Sequence, residues 1–244
     1  MGVATWYLAL YNAAQAAAWT YVLGASCHAL LRSPTAPCDA VYGAASGVVS
    51  LCQTASLLET AHALLGLTRS GVSGNVQQWA GVRALPPVTH NELFFQRSLA
   101  PNAGRTHCWW LVVALPELRA SAAVVVLILC WALADVIRYA WASLSTLGVC
   151  PHALTVLRYT AFVPLYPLGA GAEVLLMALA LPASHAGFRR VVMPNAWNFA
   201  FDNARFLFAV LLAYPPLWAL LYSHMWRQRA KKLGVAAAAD KKAA

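Results

Sequence analysis

Charge is what this chain has least of. Asp, Glu, Lys and Arg make up 10% of its 244 residues, whereas 61% are hydrophobic and the mean hydropathy is +0.59. Soluble domains carry about 25% charged and 45–50% apolar residues, so a soluble globular domain is excluded. The length allows roughly six membrane spans of about 20 residues. Also missing is any C-x-x-C pair: Cys27, Cys38, Cys52, Cys108, Cys130 and Cys150 are dispersed. Neither a disulfide framework nor a zinc site is expected, and thiols inside apolar runs behave as small hydrophobes. No Lys or Arg precedes the first apolar run, which is too long and too polar for a cleaved signal peptide. There is no Walker loop, zinc-protease helix or Gly-x-Ser-x-Gly elbow. A phosphatase is excluded because no Arg stands six residues after any cysteine.

What is present is a series of apolar blocks. Six spans are drawn, at Trp6 to Leu31, Val41 to Leu67, a third in two short halves (Val76 to Leu85 and Cys108 to Leu118), Ala122 to Leu147, Leu154 to Leu181, and Ala204 to Trp226. The expectation is therefore an all-α polytopic membrane helix bundle of about six transmembrane helices, forming one domain over residues 1–226. Pro215 and Pro216 should kink the sixth span. The stretch 85–107 holds Pro86-Pro87 and Gly104-Arg105. It is expected outside the bilayer, because irregular backbone does not face lipid.

The net charge of +9 comes from Lys and Arg scattered between the blocks and gathered at the C-terminus, not from a phosphate-binding stripe. No nucleic-acid partner is expected. With both termini cytosolic, twelve basic residues fall on the cytosolic side, and Arg32, Arg119, Arg189, Arg190 and Arg205 on the other. That is the sense of the positive-inside rule. The stretch 227–244 reads as a basic cytosolic tail. Its Lys241-Lys242-Ala243-Ala244 has the pattern of a dilysine retrieval signal for the endoplasmic reticulum, or is a chance pair in a solvated tail.

A carboxylate costs a few kcal/mol in hydrocarbon unless partnered or protonated. Glu173 nevertheless sits in the fifth span, seven residues after Tyr166, with Pro167, Gly169 and Gly171 between and Arg158 at the entrance. On an unbroken helix the pair shares one side at about 10 Å separation along the axis, so a kink or a bridging substrate is needed to join them. The competing reading is structural: an interface tyrosine, and a glutamate bonded to another helix. Glu59 and His62, three apart in the second span, are either a metal-ligand unit or interhelical hydrogen-bonding groups, the latter favoured because a di-metal site needs a second such pair. No metal and no cofactor is expected. Asp135 and Arg138 have the spacing of an ion pair on one helix face. Arg83, Arg138 and Arg158, near the inferred cytosolic boundary, suit phosphate binding.

These pieces, in order, resemble the very-long-chain 3-hydroxyacyl-CoA dehydratases, also called the protein-tyrosine-phosphatase-like A family. The matching stretches include Tyr11-Asn12, Leu58-Glu59 with His62, Val136-Ile137-Arg138-Tyr139, Arg158-Tyr159-Thr160, Leu165-Tyr166-Pro167-Leu168-Gly169 with Glu173, Phe201-Asp202, and His224-Met225. The resemblance implies a six-helix enzyme of the endoplasmic reticulum that removes water from a (3R)-3-hydroxyacyl-CoA to give the trans-2-enoyl-CoA, the third step of fatty-acid elongation. It implies Tyr166 and Glu173 as the catalytic pair, and Glu59, Arg83, Arg158 and Gly169 as polar positions of the site. Implied partners are the acyl-CoA substrate, the lipid bilayer, and the elongase, ketoacyl-CoA reductase and enoyl-CoA reductase of the cycle. The chain departs from the family in having Asp135 for Glu, Trp79 for a Gln four residues before Arg83, and the insert; these bear on Arg83 and the third span.

Dehydration requires a base for a proton alpha to the thioester and an acid for the beta-hydroxyl. Glu173 is read as the principal acid/base and Tyr166 as its partner; which one takes the alpha proton stays open. Two other classes are compatible with the sequence: a non-catalytic scaffold of the elongation complex, and a small proton-coupled transporter using Glu59, Asp135 and Glu173. The intact Tyr/Glu pair weighs against the first, and the lack of a visible internal repeat against the second.

Overall fold

The computed structural model describes residues 2–64, 104–193 and 199–243. In chain order its helices are α1 (Val3–Arg32), α2 (Pro37–Ala55), α3 (Leu57–Leu64), α4 (104–114), α5 (Pro116–Arg119), α6 (Ala122–Thr146), α7 (His152–Arg158), α8 (Phe162–Leu179), α9 (Leu181–His185) and α10 (Asn203–Ala243). Among the described residues, the one piece of β pairing is an isolated antiparallel bridge between Val191 and Phe201. An all-helical bundle is what the composition demanded.

Four stretches are long and apolar enough to cross a membrane: Pro37–Glu59, Ala122–Thr146, His152–His185 and Asn203–Gly234. The first expected span is present as the 30-residue α1, whose Asn12, Gln15 and Thr20 give it more polar character than those four. The second span is broken at Ser56. The fifth is a chain of three helices, α7 to α9, and α8 passes through Pro167 without interruption. The sixth continues through Pro215 and Pro216 and on through the expected tail to Ala243. Residues 76–85 of the third span lie outside the described residues. So does most of the 85–107 stretch, whose last four residues, 104–107, form the first turn of α4.

Helix α6 is the centre of the bundle. It is 25 residues long, about 37 Å at 1.5 Å per residue, enough to cross a hydrocarbon core of about 30 Å. Over half of its apolar window (56%) is buried, against 6% for α10. Helices α1, α2 and α8 pack around it, and α10 lies outside on α8 and α9. Helix contacts inside a bilayer rest on close packing and interhelical hydrogen bonds, since lipid tails are as apolar as leucine. Both are seen: Leu127, Ile128 and Ala132 are fully buried, Ser143 donates to the Ala9 carbonyl at 2.9 Å, and Trp109 donates to Ser50 Oγ at 2.8 Å.

Asp202 starts α10. Its Oδ1 accepts the amide N–H groups of Ala204 and Arg205 at 3.0 and 3.2 Å, satisfying donors that a helix N-terminus leaves open. The Arg205 amide, first among several causes, holds the Asp202 carboxyl below its ordinary value. A depressed carboxyl adds stability above its unfolded pKa, about 4, and loses it as pH falls through the folded value. The melting temperature in detergent micelles should therefore fall as pH drops below about 4. Asp202→Asn, which keeps an acceptor oxygen without a titrating charge, should flatten part of that fall; an identical pH dependence in the variant would remove Asp202 from the account.

Candidate active site

A cleft of about 620 Å³ lies between α6, α8 and α10. Each helix lines it with residues at i, i+3, i+4 and i+7, the spacing that puts side chains on one face. On α6 these are Trp131, Ala134, Asp135 and Arg138; on α8 they are Tyr166, Gly169, Ala170 and Glu173. A Cβ on Gly169 would meet Cys130 Cβ at 3.5 Å, an ordinary contact distance, so α8 comes close to α6 at this point. The cleft has a direction. Arg138, Arg158 and Gln228 stand at one end, and Cys130, Glu173 and Val210 at the other.

Glu173 is gripped from two helices. Trp131 Nε1 on α6 donates to its Oε1 at 3.0 Å, and the Tyr214 hydroxyl on α10 donates to its Oε2 at 2.8 Å. Tyr166, two turns earlier, is held by stacking. Its ring lies 6.0 Å from Trp218 and 5.9 Å from Tyr222, at interplanar angles of 15° and 4°. The cause lies in the neighbouring residue. Pro167 has no N–H to give the carbonyl four residues back, which is that of Val163. The Tyr222 hydroxyl donates to this Val163 carbonyl at 3.3 Å, so one neighbouring helix satisfies the freed acceptor and brings its ring onto Tyr166.

A ladder of alternating charge runs beside the cleft. Asp135, buried, is 2.7 Å from Arg105 Nη2 and 2.8 Å from Arg138 Nε, and Arg138 Nη1 is 3.0 Å from Glu59 Oε2. Glu59 Oε1 also accepts from the Tyr139 hydroxyl. Arg105 in turn places its guanidinium over the Trp131 ring, 4.5 Å from the centroid. Arg158 differs: no carboxylate pairs with it among the described residues. Its Cζ sits 4.7 Å over the Trp141 ring and its Nε is buried without a hydrogen-bond partner.

The structure thus brings Arg138, Arg158, Tyr166, Gly169 and Glu173 to one cleft. Glu59 stands behind Arg138, outside the lining, and Arg83 lies outside the described residues. Glu59 and His62 take separate partners, since His62 Nε2 shares a 2.8 Å hydrogen bond with the Tyr7 hydroxyl. Three residues were not anticipated. Trp131 shares the α6 face of Asp135 and Arg138, so the i, i+4, i+7 spacing was a usable signal. Tyr214 directly precedes the Pro215-Pro216 pair, and Arg105 belongs to the stretch expected outside the bilayer. Nothing local in the sequence marks either one as facing the cleft.

The fold and cleft define a class: a helical membrane protein with a hydrogen-bonded carboxylate and a stacked phenol over an apolar groove. Residues 97–235 match the sequence model of the family described as "Protein tyrosine phosphatase-like protein, PTPLA". The chain is 33% identical over 235 residues (96% of this chain, 95% of the relative) to very-long-chain (3R)-3-hydroxyacyl-CoA dehydratase PASTICCINO 2B of Oryza sativa subsp. japonica. It is 33% identical over 229 residues (93% and 92%) to PASTICCINO 2 of Arabidopsis thaliana, and 30% over 233 residues (95% and 82%) to dehydratase 2 of Mus musculus, both also named very-long-chain (3R)-3-hydroxyacyl-CoA dehydratases. No solved structure matches significantly. The chain belongs to the protein tyrosine phosphatase-like, PTPLA, family.

A buried ion pair that loses one partner leaves an uncompensated charge, at about 3–5 kcal/mol. Asp135→Leu should therefore lower unfolding stability in micelles by about that amount. The double variant Asp135→Leu with Arg105→Met should recover part of it, since the orphaned guanidinium is removed as well. Equal losses in single and double variants would show that the ladder is not coupled.

Proposed function

We propose that the protein dehydrates a (3R)-3-hydroxyacyl-CoA to the trans-2-enoyl-CoA, as a hydro-lyase of very-long-chain fatty-acid elongation. The observation that carries the site reading is the placement of Glu173 and Tyr166 on one face of α8, over an apolar cleft that ends at Arg138 and Arg158. The elimination breaks the Cα–H and Cβ–O bonds and forms the Cα=Cβ bond, and the proton and hydroxide leave as water. Nothing is oxidised or reduced.

The chemistry asks for a proton acceptor and a proton donor that can reach two adjacent carbons, in a place that excludes bulk water. Glu173 is the principal acid/base. Tyr166 donates to the beta-hydroxyl or to the thioester oxygen, where a hydroxyl donor spreads enolate charge. Since α8 is unbroken through Pro167, their Cα atoms stay about 10 Å apart along the axis, and the two side chains reach the substrate from either side of its reacting carbons. The acyl chain lies along the apolar walls. Of the two arginines at the mouth, Arg138 is already neutralised by Asp135 and Glu59, whereas Arg158 pairs with no carboxylate among the described residues. The phosphates of CoA therefore fall to Arg158, with Arg138 holding the wall behind it. This reading places the enzyme in the endoplasmic reticulum membrane, working with the elongase, the ketoacyl-CoA reductase and the enoyl-CoA reductase, as the family resemblance implies.

Purified protein supplied with C16–C20 3-hydroxyacyl-CoA should form the enoyl product. Glu173→Gln and Tyr166→Phe should each cut turnover by about 10²-fold or more, the size of a lost acid or base. Arg158→Gln should raise KM by about 10-fold with kcat within about twofold, the loss expected for one charge-assisted contact to a phosphate. Turnover retained in both the Glu173 and Tyr166 variants would reject the site.

A further inference from the structure

The phenol that touches Glu173 is not the one seven residues before it. We propose that Tyr214 and Trp131 are the positioning residues of the Glu173 carboxylate, fixing its plane so that its free lone pairs face the cleft. The inference rests on the reading of Glu173 as the acid/base and adds how that group is aimed.

A glutamate carboxylate turns freely, because its last torsion is broad and roughly two-fold. An ionised carboxylate has about four acceptor positions. Here one on each oxygen is taken, by Trp131 Nε1 at 3.0 Å and by the Tyr214 hydroxyl at 2.8 Å. Donors on separate oxygens, from separate helices, stop the rotation in a way that a single donor does not. The remaining positions are left for substrate.

Both donors are themselves fixed. The Trp131 ring lies under the Arg105 guanidinium, and Arg105 is tied to buried Asp135 at 2.7 Å. Tyr214 immediately precedes Pro215 and Pro216 within α10. Its backbone is helical there, so the direction of its Cβ is set by the helix. The two prolines also take two N–H groups out of the helix ladder, those that would serve the carbonyls of Leu211 and Leu212. A sequence that tolerates that loss one turn before Tyr214, on a helix with only 6% of its apolar window buried, places the tyrosine where α10 meets the cleft.

The test is steady-state kinetics on the purified full chain with a C18 3-hydroxyacyl-CoA, for Tyr214→Phe, Trp131→Phe and the double variant. Each single change removes one donor; Tyr214→Phe keeps the ring, and Trp131→Phe leaves a smaller aromatic ring in the indole's place. Each should lower kcat by about 10- to 100-fold, the worth of a hydrogen bond to a charged group, with KM within about twofold and with the melting temperature close to the parent. The double variant should lose less than the product of the two, since the carboxylate is already free to rotate after the first loss. Full kcat in both single variants overturns the proposal, and so does a rise in KM at constant kcat, which would make Tyr214 a substrate contact. If Tyr214→Phe fails to fold, Trp131→Phe alone decides by the same criteria. Glu173→Gln is measured alongside: if it stays active, the reading of the site fails. If it is dead while Tyr214→Phe and Trp131→Phe are fully active, only this inference fails.

Discussion

A polar group inside a hydrocarbon-like interior must find a partner within the protein, and that constraint shapes everything around the cleft. Asp135 shows it most plainly. It is 2% exposed and holds two guanidiniums, so neither Arg105 nor Arg138 is left uncompensated. Arg138 carries a second acid, Glu59, which takes a further hydrogen bond from Tyr139. The ladder joins α3, α4 and α6. A purely apolar core would have left helices free to slide, since lipid competes equally for their side chains. Charge pairing at one level of the bundle sets their register, and the register of α6 in turn aims Trp131 at Glu173.

Proline does the corresponding work elsewhere. In α8 and α10 it removes amide donors in the middle of apolar helices, a change that would break a soluble helix. The lost bond at Pro167 is replaced by the Tyr222 hydroxyl on the Val163 carbonyl. That replacement brings a ring flat against Tyr166, while Trp218 stacks 4.9 Å from Tyr222 and completes a three-ring wall. A helix defect on α8 is thereby converted into a contact with α10 and a fixed orientation for the phenol. The same helix that supplies Tyr222 supplies Tyr214 two turns earlier. The outermost helix, with little buried surface, is thus anchored by polar and aromatic contacts at the site itself.

Much of this was legible beforehand, and the reasons differ by feature. The apolar blocks identify α1, α2, α6, α8 and α10 because spanning a bilayer needs about 20 apolar residues, a signal that survives without context. Glu173 and Tyr166 stood out because ionisable groups are rare in such blocks. The Asp135–Arg138 pair followed from i, i+3 spacing. What was hidden depends on tertiary approach. The break at Ser56 has no Pro or Gly to announce it. Tyr214 and Arg105 matter only because α10 and α4 meet the cleft, and spacing along one helix says nothing about which neighbour it meets. Pro167 and Pro215-Pro216 suggested kinks; both helices run on through them, and at Pro167 the Tyr222 hydroxyl takes the carbonyl that the ring leaves open.

The family's descriptive name and the chemistry of this cleft part company at cysteine. A cysteine phosphatase needs a thiolate in an electropositive, accessible setting, with an arginine in the same loop to hold the phosphoryl oxygens. Here Cys52 and Cys108 are buried in the apolar core, at 2% and 1% exposure. Cys130, which lines the cleft, lies beside Gly169 at the end that holds Glu173, whereas Arg138 and Arg158 stand at the other. On α6, Arg138 is eight residues from Cys130, about 12 Å of rise. Cys130 and the Arg138–Arg158 pair are thus kept apart along the cleft, while the Glu173 carboxylate and the Tyr166 phenol share one wall. In the proposed reaction that layout would suit a long substrate with its charged head near Arg158 and its reacting centre at Glu173 and Tyr166.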